Sequence, residues 1–352
     1  MKSPEKNNGT TDNVMGLIPR ANKLANRIGL DWFLLALVLM IVLAYLWPQV
    51  GLKDGPLALG TITDVGVTII FLFYGLRLSP EKLKAGLSNW RLHTLVQLST
   101  FVLFPVLILL VMQLVNADSS NLIWLGVFYL AALPSTVSSS VVMVSVAGGN
   151  IPAAIFNASI SSLVGVFLTP LWMGVFLTTG SATIDMQDVM LKLVLQVLVP
   201  VIVGIVLHKR FGSWAERHKA RVRFFDQSII LLIVYSSFCE SYARDLFGGL
   251  SMVNLLGLGG GMLVLFFAVY GIITGIGKLL HLNREDNITA VFCGSKKSLV
   301  HGTVMSQVLF PDANVVGIIL LPIMLYHALQ LVVASIIAQA SARKATAEKQ
   351  PS

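Results

Sequence analysis

The chain contains 352 residues, of which 55% are hydrophobic and only 12% are charged. Water-soluble domains have about 25% charged residues, so this composition excludes a soluble globular protein and predicts an all-α protein that crosses a membrane many times. The formal net charge of +8 does not indicate nucleic-acid binding. The basic residues lie in short segments between apolar runs, where their distribution reflects membrane topology instead.

The first 27 residues are polar and include five basic residues. They lack the apolar stretch and small-residue cleavage site of a removable signal peptide, so we interpret residues 1–27 as a cytoplasmic tail. One membrane domain is predicted over residues 28–340, followed by a cytoplasmic tail at 341–352. A membrane span needs about 20 apolar residues. On this basis ten spans are predicted, at 30–48, 61–77, 92–115, 122–147, 151–178, 189–208, 225–243, 252–279, 287–310 and 314–339.

The charges between the spans support this count. With both termini in the cytoplasm, the inner segments hold 20 of the 25 lysine and arginine residues, and the outer loops hold two or three. This asymmetry fits the positive-inside rule. We therefore expect a multi-pass protein of the plasma membrane, which in a bacterium is the inner membrane. The lipid bilayer is an expected partner and nucleic acid is not.

The ten spans divide into two halves of five, at about 28–180 and 186–340. A repeat with an odd number of spans is inverted in the membrane, and such inverted repeats are common in transporters. The polar fourth span then corresponds to the polar ninth span. Each is followed by a span with a similarly placed proline, Pro170 in one half and Pro322 in the other.

The ninth span contains two adjacent lysines, Lys296 and Lys297, near its middle. A charged side chain at the bilayer centre costs roughly 2.5–3.5 kcal/mol. The surrounding Gly294, Ser295 and Ser298 favour two half-helices that meet at a break. A broken helix with ionisable groups at this depth is typical of transporters. Besides the two lysines, the candidate site residues of this span are Ser295, Ser298 and His301, which follows one turn after the lysines.

Two interpretations of the lysines are open at this point. The side chains could reach the inner surface from a shallow position, but nine residues precede Lys296 in the span, which corresponds to roughly 13 Å at a rise of 1.5 Å per residue. If the lysines stay buried, three outcomes are possible for their positive charge. The carbonyl-rich end of the first half-helix could stabilise it, or an anionic substrate could be the counter-ion. Alternatively, a lysine could lose its proton and act as a proton carrier.

Polar residues in three other spans are also candidates for the site. A proline in the fourth span, Pro134, is followed by several hydroxyl side chains that could supply oxygen ligands at membrane depth. Close helix packing is the alternative for these small residues. The further candidates are Thr136, Ser138, Ser139 and Ser140 in the fourth span, Asn157 and Ser161 in the fifth, and Gln97 and Thr100 in the third. The two cysteines form no metal-binding spacing, so we expect no metal or cofactor other than a coupling sodium ion or proton.

Three motifs together resemble the bile acid:sodium symporter superfamily, in particular its branch of bacterial and vertebrate seven-type members. They are Gly75–Leu83, the hydroxyl-rich span after Pro134, and Phe292–Ser298. The resemblance implies ten helices in a panel domain (spans 1, 2, 6 and 7) and a core domain (spans 3–5 and 8–10). It also implies that helices 4 and 9 unwind and cross, that the substrates are organic anions, and that two sodium ions bind near the crossing.

The sodium ligands implied by the resemblance are only partly present. The family's glutamate falls on Phe292, its glutamine on Lys296 and its asparagine on Lys297. The remaining ligand positions fall near Ser139, Ser140, Thr100, Asn157 and Ser161, with Gln97 one turn away. A site that loses a carboxylate and gains an ammonium binds Na⁺ poorly, because like charges repel strongly in a low dielectric. We therefore expect Lys296 to replace a bound sodium ion, either as a tethered cation or as a proton carrier.

The favoured function is secondary transport of a small organic anion, bile-acid-like or another carboxylate, by alternating access. A non-transporting membrane regulator or scaffold that retains the fold is the alternative. An intramembrane enzyme is disfavoured, because Ser295 and Lys296 are helical neighbours that do not face each other. A serine nucleophile needs its base within hydrogen-bond reach.

Overall fold

The computed structural model describes residues 32–77, 89–179, 191–192, 194–248, 250–310 and 312–347. All regular secondary structure in these ranges is helical. The predicted tail at 1–27, the second part of the motif Gly75–Leu83 and the last five residues lie outside the described residues.

The helices follow the predicted spans, and we number them α1 to α10, with a and b for the two parts of an interrupted helix. They are α1 (Trp32–Leu46), α2 (Leu59–Arg77), α3 (Trp90–Leu114), α4a (Leu122–Ala132), α4b (Ser138–Ala147), α5 (Ile151–Thr179), α6 (Val194–Arg217), α7 (Lys219–Ala243), α8 (Met252–Leu279), α9a (Arg284–Gly294), α9b (Leu299–Leu309) and α10 (Ala313–Ala347).

Three helices extend beyond the spans predicted for them. Helix α6 continues to Arg217 instead of ending at residue 208, α7 begins at Lys219 instead of 225, and α10 continues to Ala347 instead of 339. Hydropathy indicates where the apolar environment ends, whereas helical hydrogen bonding continues through polar residues of good helix propensity. The predicted tail at 341–352 therefore begins as part of α10.

Seven of the described helices are long and apolar enough to cross a membrane, namely α2, α3, α5, α6, α7, α8 and α10. Large apolar side chains are exposed along the outer faces, including Leu35 and Leu39 of α1 and Val253 and Leu256 of α8. Apolar faces of this extent are covered by lipid in a native protein. The chain is an integral membrane protein with multiple spans.

The helices pack in two groups. In the first, α2 packs along α6, and α7 packs against α1 and α2. The α2–α6 contact is close because Gly75 and Gly204 face each other, and a Cβ atom on either would overlap the main chain of the other helix. In the second group, α3, α5, α8 and α10 surround the interrupted helices α4 and α9. Helix α7 joins the groups through contacts with α9b and α10.

A proline widens α3 without ending it. The residues just before Pro105 form a π-helical segment, Ser99–Leu103. Proline lacks an N–H group and clashes with the preceding turn, and a π-helical turn accommodates it. The Phe104 N–H bonds to the Ser99 carbonyl, one residue earlier than in an α-helix. The Thr100 carbonyl therefore loses its helical partner and can accept a bond from elsewhere.

Helices α4 and α9 are interrupted at 133–137 and 295–298. The break in α9 lies where the lysine-containing segment predicts one, and the break in α4 is the one that the family resemblance implies. Non-helical backbone at membrane depth must find its hydrogen-bond partners within the protein or in a water-filled cavity. The partners of these two segments therefore define the central site.

Candidate functional site

The breaks in α4 and α9 lie against each other and form a single unit, which we call the α4–α9 junction (residues 133–137 and 295–298); all of its residues except Val137 are buried. The Ser135 hydroxyl donates to the Cys293 carbonyl over 2.5 Å. The Ser298 N–H donates to the Pro134 carbonyl over 2.9 Å. Each break thus satisfies main-chain groups at the other, which explains how both can be buried.

Helices α5 and α10 hold the junction from its two sides. From α5, the Thr169 hydroxyl donates to the Ala132 carbonyl over 2.8 Å, and the Ser161 hydroxyl accepts from the Ser135 N–H over 2.9 Å. From α10, the Tyr326 hydroxyl donates to the carbonyl of Ser295 over 2.7 Å. These bonds pair main-chain groups that the breaks would otherwise leave unsatisfied.

The side chain of Gln330 on α10 binds the main chain of Lys297 on both sides of its Cα. Its Oε1 accepts from the Lys297 N–H over 2.9 Å, and its Nε2 donates to the Lys297 carbonyl over 2.8 Å. Gln330 is fully buried. The two bonds fix the backbone at the point where the lysine side chains diverge.

Lys297 is buried, and its ammonium donates three hydrogen bonds to main-chain carbonyls. The acceptors are Thr100 at 2.7 Å, Ala131 at 2.7 Å and Leu133 at 2.8 Å. The ring of Phe104 lies 4.1 Å from Nζ, measured to the ring centroid. An ammonium has three donors, so all three are used.

Lys296 is also buried, but its ammonium lies in a different environment. It donates to the Ser139 hydroxyl over 3.0 Å, and that hydroxyl shares a 2.9 Å hydrogen bond with the hydroxyl of Thr136. Ser139 is the acceptor observed for Lys296 among the described residues, and neither lysine forms an ion pair with a described carboxylate. Lys296 therefore keeps donor capacity and has no counter-ion among the described residues.

Asn157 and Gln97 are paired with each other at the α3–α5 contact. The Gln97 Nε2 donates to the Asn157 carbonyl over 3.2 Å and lies 3.4 Å from its Oδ1. The Thr100 hydroxyl donates to the Val96 carbonyl of its own helix, so only its main-chain oxygen serves the junction. Ser138, in contrast, is exposed at the start of α4b.

The other predicted hydroxyl residues differ in their partners. The Ser140 side chain is buried, and its hydroxyl has no hydrogen-bond partner among the described residues. The Ser295 hydroxyl donates to the Val291 carbonyl within α9a. In the described part of the chain, no three His, Cys, Asp or Glu residues are grouped as a metal site would require.

Ser298 and His301 form the start of α9b. The Ser298 hydroxyl accepts from the His301 N–H over 3.3 Å as the helix cap and lies 2.9 Å from the ring Nδ1. The His301 ring also packs edge-on against Tyr74 of α2, with centroids 4.9 Å apart. Farther along α2, Arg77 forms a 2.8 Å ion pair with Asp226 of α7. His301 therefore connects the junction to the first helix group.

A buried carboxylate, Asp286, joins the beginnings of three helices. Its oxygens accept from the side-chain amides of Asn89 at 2.7 Å, Asn150 at 2.9 Å and Asn283 at 3.1 Å. These asparagines also accept from main-chain N–H groups in the first turns of α3, α5 and α9a, respectively. We call these four residues the Asp286 cluster.

Several residues of this site were not singled out by the sequence. Thr169, Tyr326 and Gln330 lie in long apolar spans where a single polar residue has no evident role. The Asp286 cluster did leave a signal, since asparagine is a preferred N-cap residue. Asn283 three residues before Asp286 also resembles a capping box.

Comparison with known proteins identifies the chain's relatives. The model of the SBF-like CPA transporter family matches residues 31–343. The chain is 40% identical over 314 residues to PA2026, an uncharacterised protein of Pseudomonas aeruginosa, covering 89% of this chain and 93% of the relative. It is 36% identical to YfeH of Escherichia coli, named as a candidate symporter, over 88% of this chain and 92% of the relative.

Vertebrate relatives match to a similar extent. The chain is 31% identical to sodium/bile acid cotransporter 7-A of Xenopus laevis, over 92% of this chain and 93% of the relative. The resemblance carried by the three motifs is thereby confirmed, and the matching family is a transporter family. The family match spans all the described helices apart from the last residues of α10. The chain belongs to the SBF-like CPA transporter family.

Proposed function

We propose that the protein is a secondary transporter that moves a small organic anion, a carboxylate or a bile-acid-like compound, by alternating access. The observation that carries this proposal is the buried ammonium of Lys296, whose observed acceptor is one hydroxyl, that of Ser139. A buried charge without a partner is costly. An anionic substrate would supply the missing charge, with the hydroxyls of Ser139 and Thr136 as further polar contacts.

Helix packing supports an inverted five-plus-five arrangement as the framework for this movement. Helix α1 packs against α7 as α6 packs against α2, and α3 packs against α5 as α8 packs against α10. Helix α5 contacts α9a as α10 contacts α4a. In this scheme the first helix group (α1, α2, α6 and α7) is a panel against which the second group moves as a core, and the α4–α9 junction lies at the repeat interface.

A direct test is ligand-dependent thermal stability of the purified protein. Small carboxylates and steroid conjugates are screened against wild type, Lys296→Gln and, as a matched control, Lys278→Gln on an exposed surface. A ligand at 100 times its Kd adds about 2.7 kcal/mol to stability. We expect this stabilisation in wild type and the Lys278 variant but not in Lys296→Gln. Equal stabilisation of all three proteins, or by uncharged analogues, would overturn the assignment.

Uptake into proteoliposomes then tests the coupling ion. Lys296 and Lys297 occupy positions that hold sodium ligands in the bile acid:sodium symporter superfamily. We therefore propose that transport is coupled to protons or to no ion. Uptake is measured with and without Na⁺ at two pH values. Uptake that requires Na⁺ and ignores a pH gradient would contradict this. If no anion is bound and variants of Ser138, Ser139, Ser140 and Lys296 all behave as wild type, the protein is the scaffold of the alternative hypothesis.

A further inference from the structure

The surroundings of Lys297 have the composition of a binding site for a small cation. Three carbonyl oxygens lie 2.7–2.8 Å from Nζ, and an aromatic face covers a fourth side. Rings of carbonyl oxygens replace the hydration shell of monovalent cations in ion channels. An aromatic ring within about 6 Å attracts a cation electrostatically. We call these four groups, the carbonyls of Thr100, Ala131 and Leu133 and the ring of Phe104, the carbonyl cage.

The cage exists because local backbone features release these carbonyls from helical bonding. The Thr100 carbonyl is released by the π-helical segment and Pro105, as described above. The N–H one turn after Ala131 belongs to Ser135, which bonds instead to Ser161 of α5. Leu133 lies just beyond the end of α4a, where carbonyls have no helical partner. The C-terminal end of a helix also carries partial negative charge. All these features favour a positive charge at the same place.

We propose that Lys297 is a tethered cation, which permanently fills a cage that would otherwise bind a free monovalent cation. Its covalent attachment to α9, together with the Gln330 bonds to its main chain, ties α3, α4a, α9 and α10 into one body. The role expected from the sequence for Lys296 thus matches the geometry of Lys297. The adjacent lysines have separate tasks, since Lys297 is saturated by protein and Lys296 is not.

This inference deepens the proposed function, because a core that carries its own cation needs no free ion at that position. The test of this inference measures the thermal stability of the protein and its dependence on cations, and it does not measure uptake. The two proposals can therefore fail separately. Lys297→Ala removes the ammonium and leaves the carbonyls in place. Lys296→Ala is the matched control, since it removes an adjacent buried lysine outside the cage.

Thermal unfolding of the detergent-purified proteins is measured in chloride salts of choline, Na⁺, K⁺ and methylammonium. We expect Lys297→Ala in choline to unfold at least about 5 °C below wild type. A small cation, methylammonium above all, should recover half or more of that loss. Wild type and Lys296→Ala should not distinguish the salts. A Lys297→Ala protein as stable as wild type, or one that no small cation stabilises, would overturn the proposal.

A second pair of variants covers the case in which Lys297→Ala does not fold. Phe104→Leu removes the ring beside the ammonium, and Phe101→Leu removes a ring of equal size that is buried in the same helix. If the cage holds a cation, Phe104→Leu unfolds at a lower temperature than Phe101→Leu. Equal losses in the two leucine variants would overturn the proposal.

Discussion

Replacing Asp286 by alanine tests whether the Asp286 cluster holds three helices together. The substitution removes the acceptor shared by the amides of Asn89, Asn150 and Asn283, at distances of 2.7, 2.9 and 3.1 Å. Asp286 is only 6% exposed, so water does not replace these bonds directly. A hydrogen bond to a charged group contributes roughly 1.5–3 kcal/mol.

The net effect is smaller than the sum of three such bonds. The bonds share one acceptor, so their contributions are not additive. Removing the carboxylate also recovers part of the cost of its burial. The negative charge of Asp286 also interacts favourably with the dipole of each neighbouring helix at its N-terminus, by about 0.3–1 kcal/mol for each helix. We therefore expect Asp286→Ala to lower the free energy of unfolding by about 3–5 kcal/mol, which corresponds to a Tm lower by roughly 6–15 °C.

The assay is thermal unfolding in detergent, followed by the loss of the monodisperse peak in size-exclusion chromatography. Asp64→Ala is the matched control, because Asp64 is exposed on α2. The Tm of Asp286→Asn should lie between those of Asp286→Ala and Asp64→Ala. A carboxamide retains one acceptor oxygen, but its NH₂ group faces the asparagine donors. If Asp286→Ala unfolds within about 2 °C of wild type, the cluster does not contribute as reasoned.

Two further substitutions address other contacts. Gln330→Ala leaves the buried N–H and carbonyl of Lys297 without partners, which costs about 1–3 kcal/mol for each group. The Tm of this variant should therefore fall well below that of Gln113→Ala, a control on the exposed side of α3. Equal Tm values for the two variants would contradict this. Gly204→Leu should abolish the monodisperse peak because its side chain would overlap α2, whereas Gly261→Leu, with no neighbour within 4 Å of an added Cβ, should elute as wild type.

The sequence predicts the positions of the helices and the break in α9 from local causes. Apolar runs of membrane length indicate burial in lipid, and two adjacent lysines in a Gly–Ser segment favour a break in the helix. The break in α4 is implied only by the family resemblance, because a proline does not end a membrane helix by itself: α5 and α10 continue through Pro170 and Pro322. The end of α6, the start of α7 and the end of α10 are predicted less well. Helical bonding does not stop at the membrane surface, so hydropathy underestimates the length of all three helices.

The separate environments of the two lysines could not be predicted. Periodicity places adjacent residues about 100° apart on a helix, yet it cannot tell which ammonium meets released carbonyls. That depends on the π-helical segment before Pro105 in α3, a helix almost 200 residues away in sequence. Long-range hydrogen bonds from Gln330 and Tyr326 likewise depend on tertiary packing, since nothing in their own span distinguishes them from ordinary polar residues of a membrane helix.

The second halves of the two interrupted helices, α4b and α9b, differ in how much of their surface is exposed. Helix α9b is enclosed, and Gln307 on it lies 3.3 Å from Ser237 of α7. Helix α4b has an exposed face that includes Ser138 and Val142. Under alternating access, a water-filled crevice would lie beside α4b, on the side of the molecule where the Asp286 cluster is found.

Cysteine accessibility distinguishes such a crevice from a lipid-facing surface. The test variant is Val142→Cys on α4b, where the native valine is 54% exposed. The matched control is Val304→Cys on α9b, where the native valine is 1% exposed. The native cysteines, Cys239 and Cys293, are buried and should not react. We expect a charged maleimide, which reacts only in water, to modify Val142→Cys and not Val304→Cys. If Val142→Cys resists the reagent, the exposed face of α4b lies in lipid. If Val142→Cys and Val304→Cys react equally, α4b and α9b do not differ in their access to water. Either result would contradict a crevice that opens on one side only.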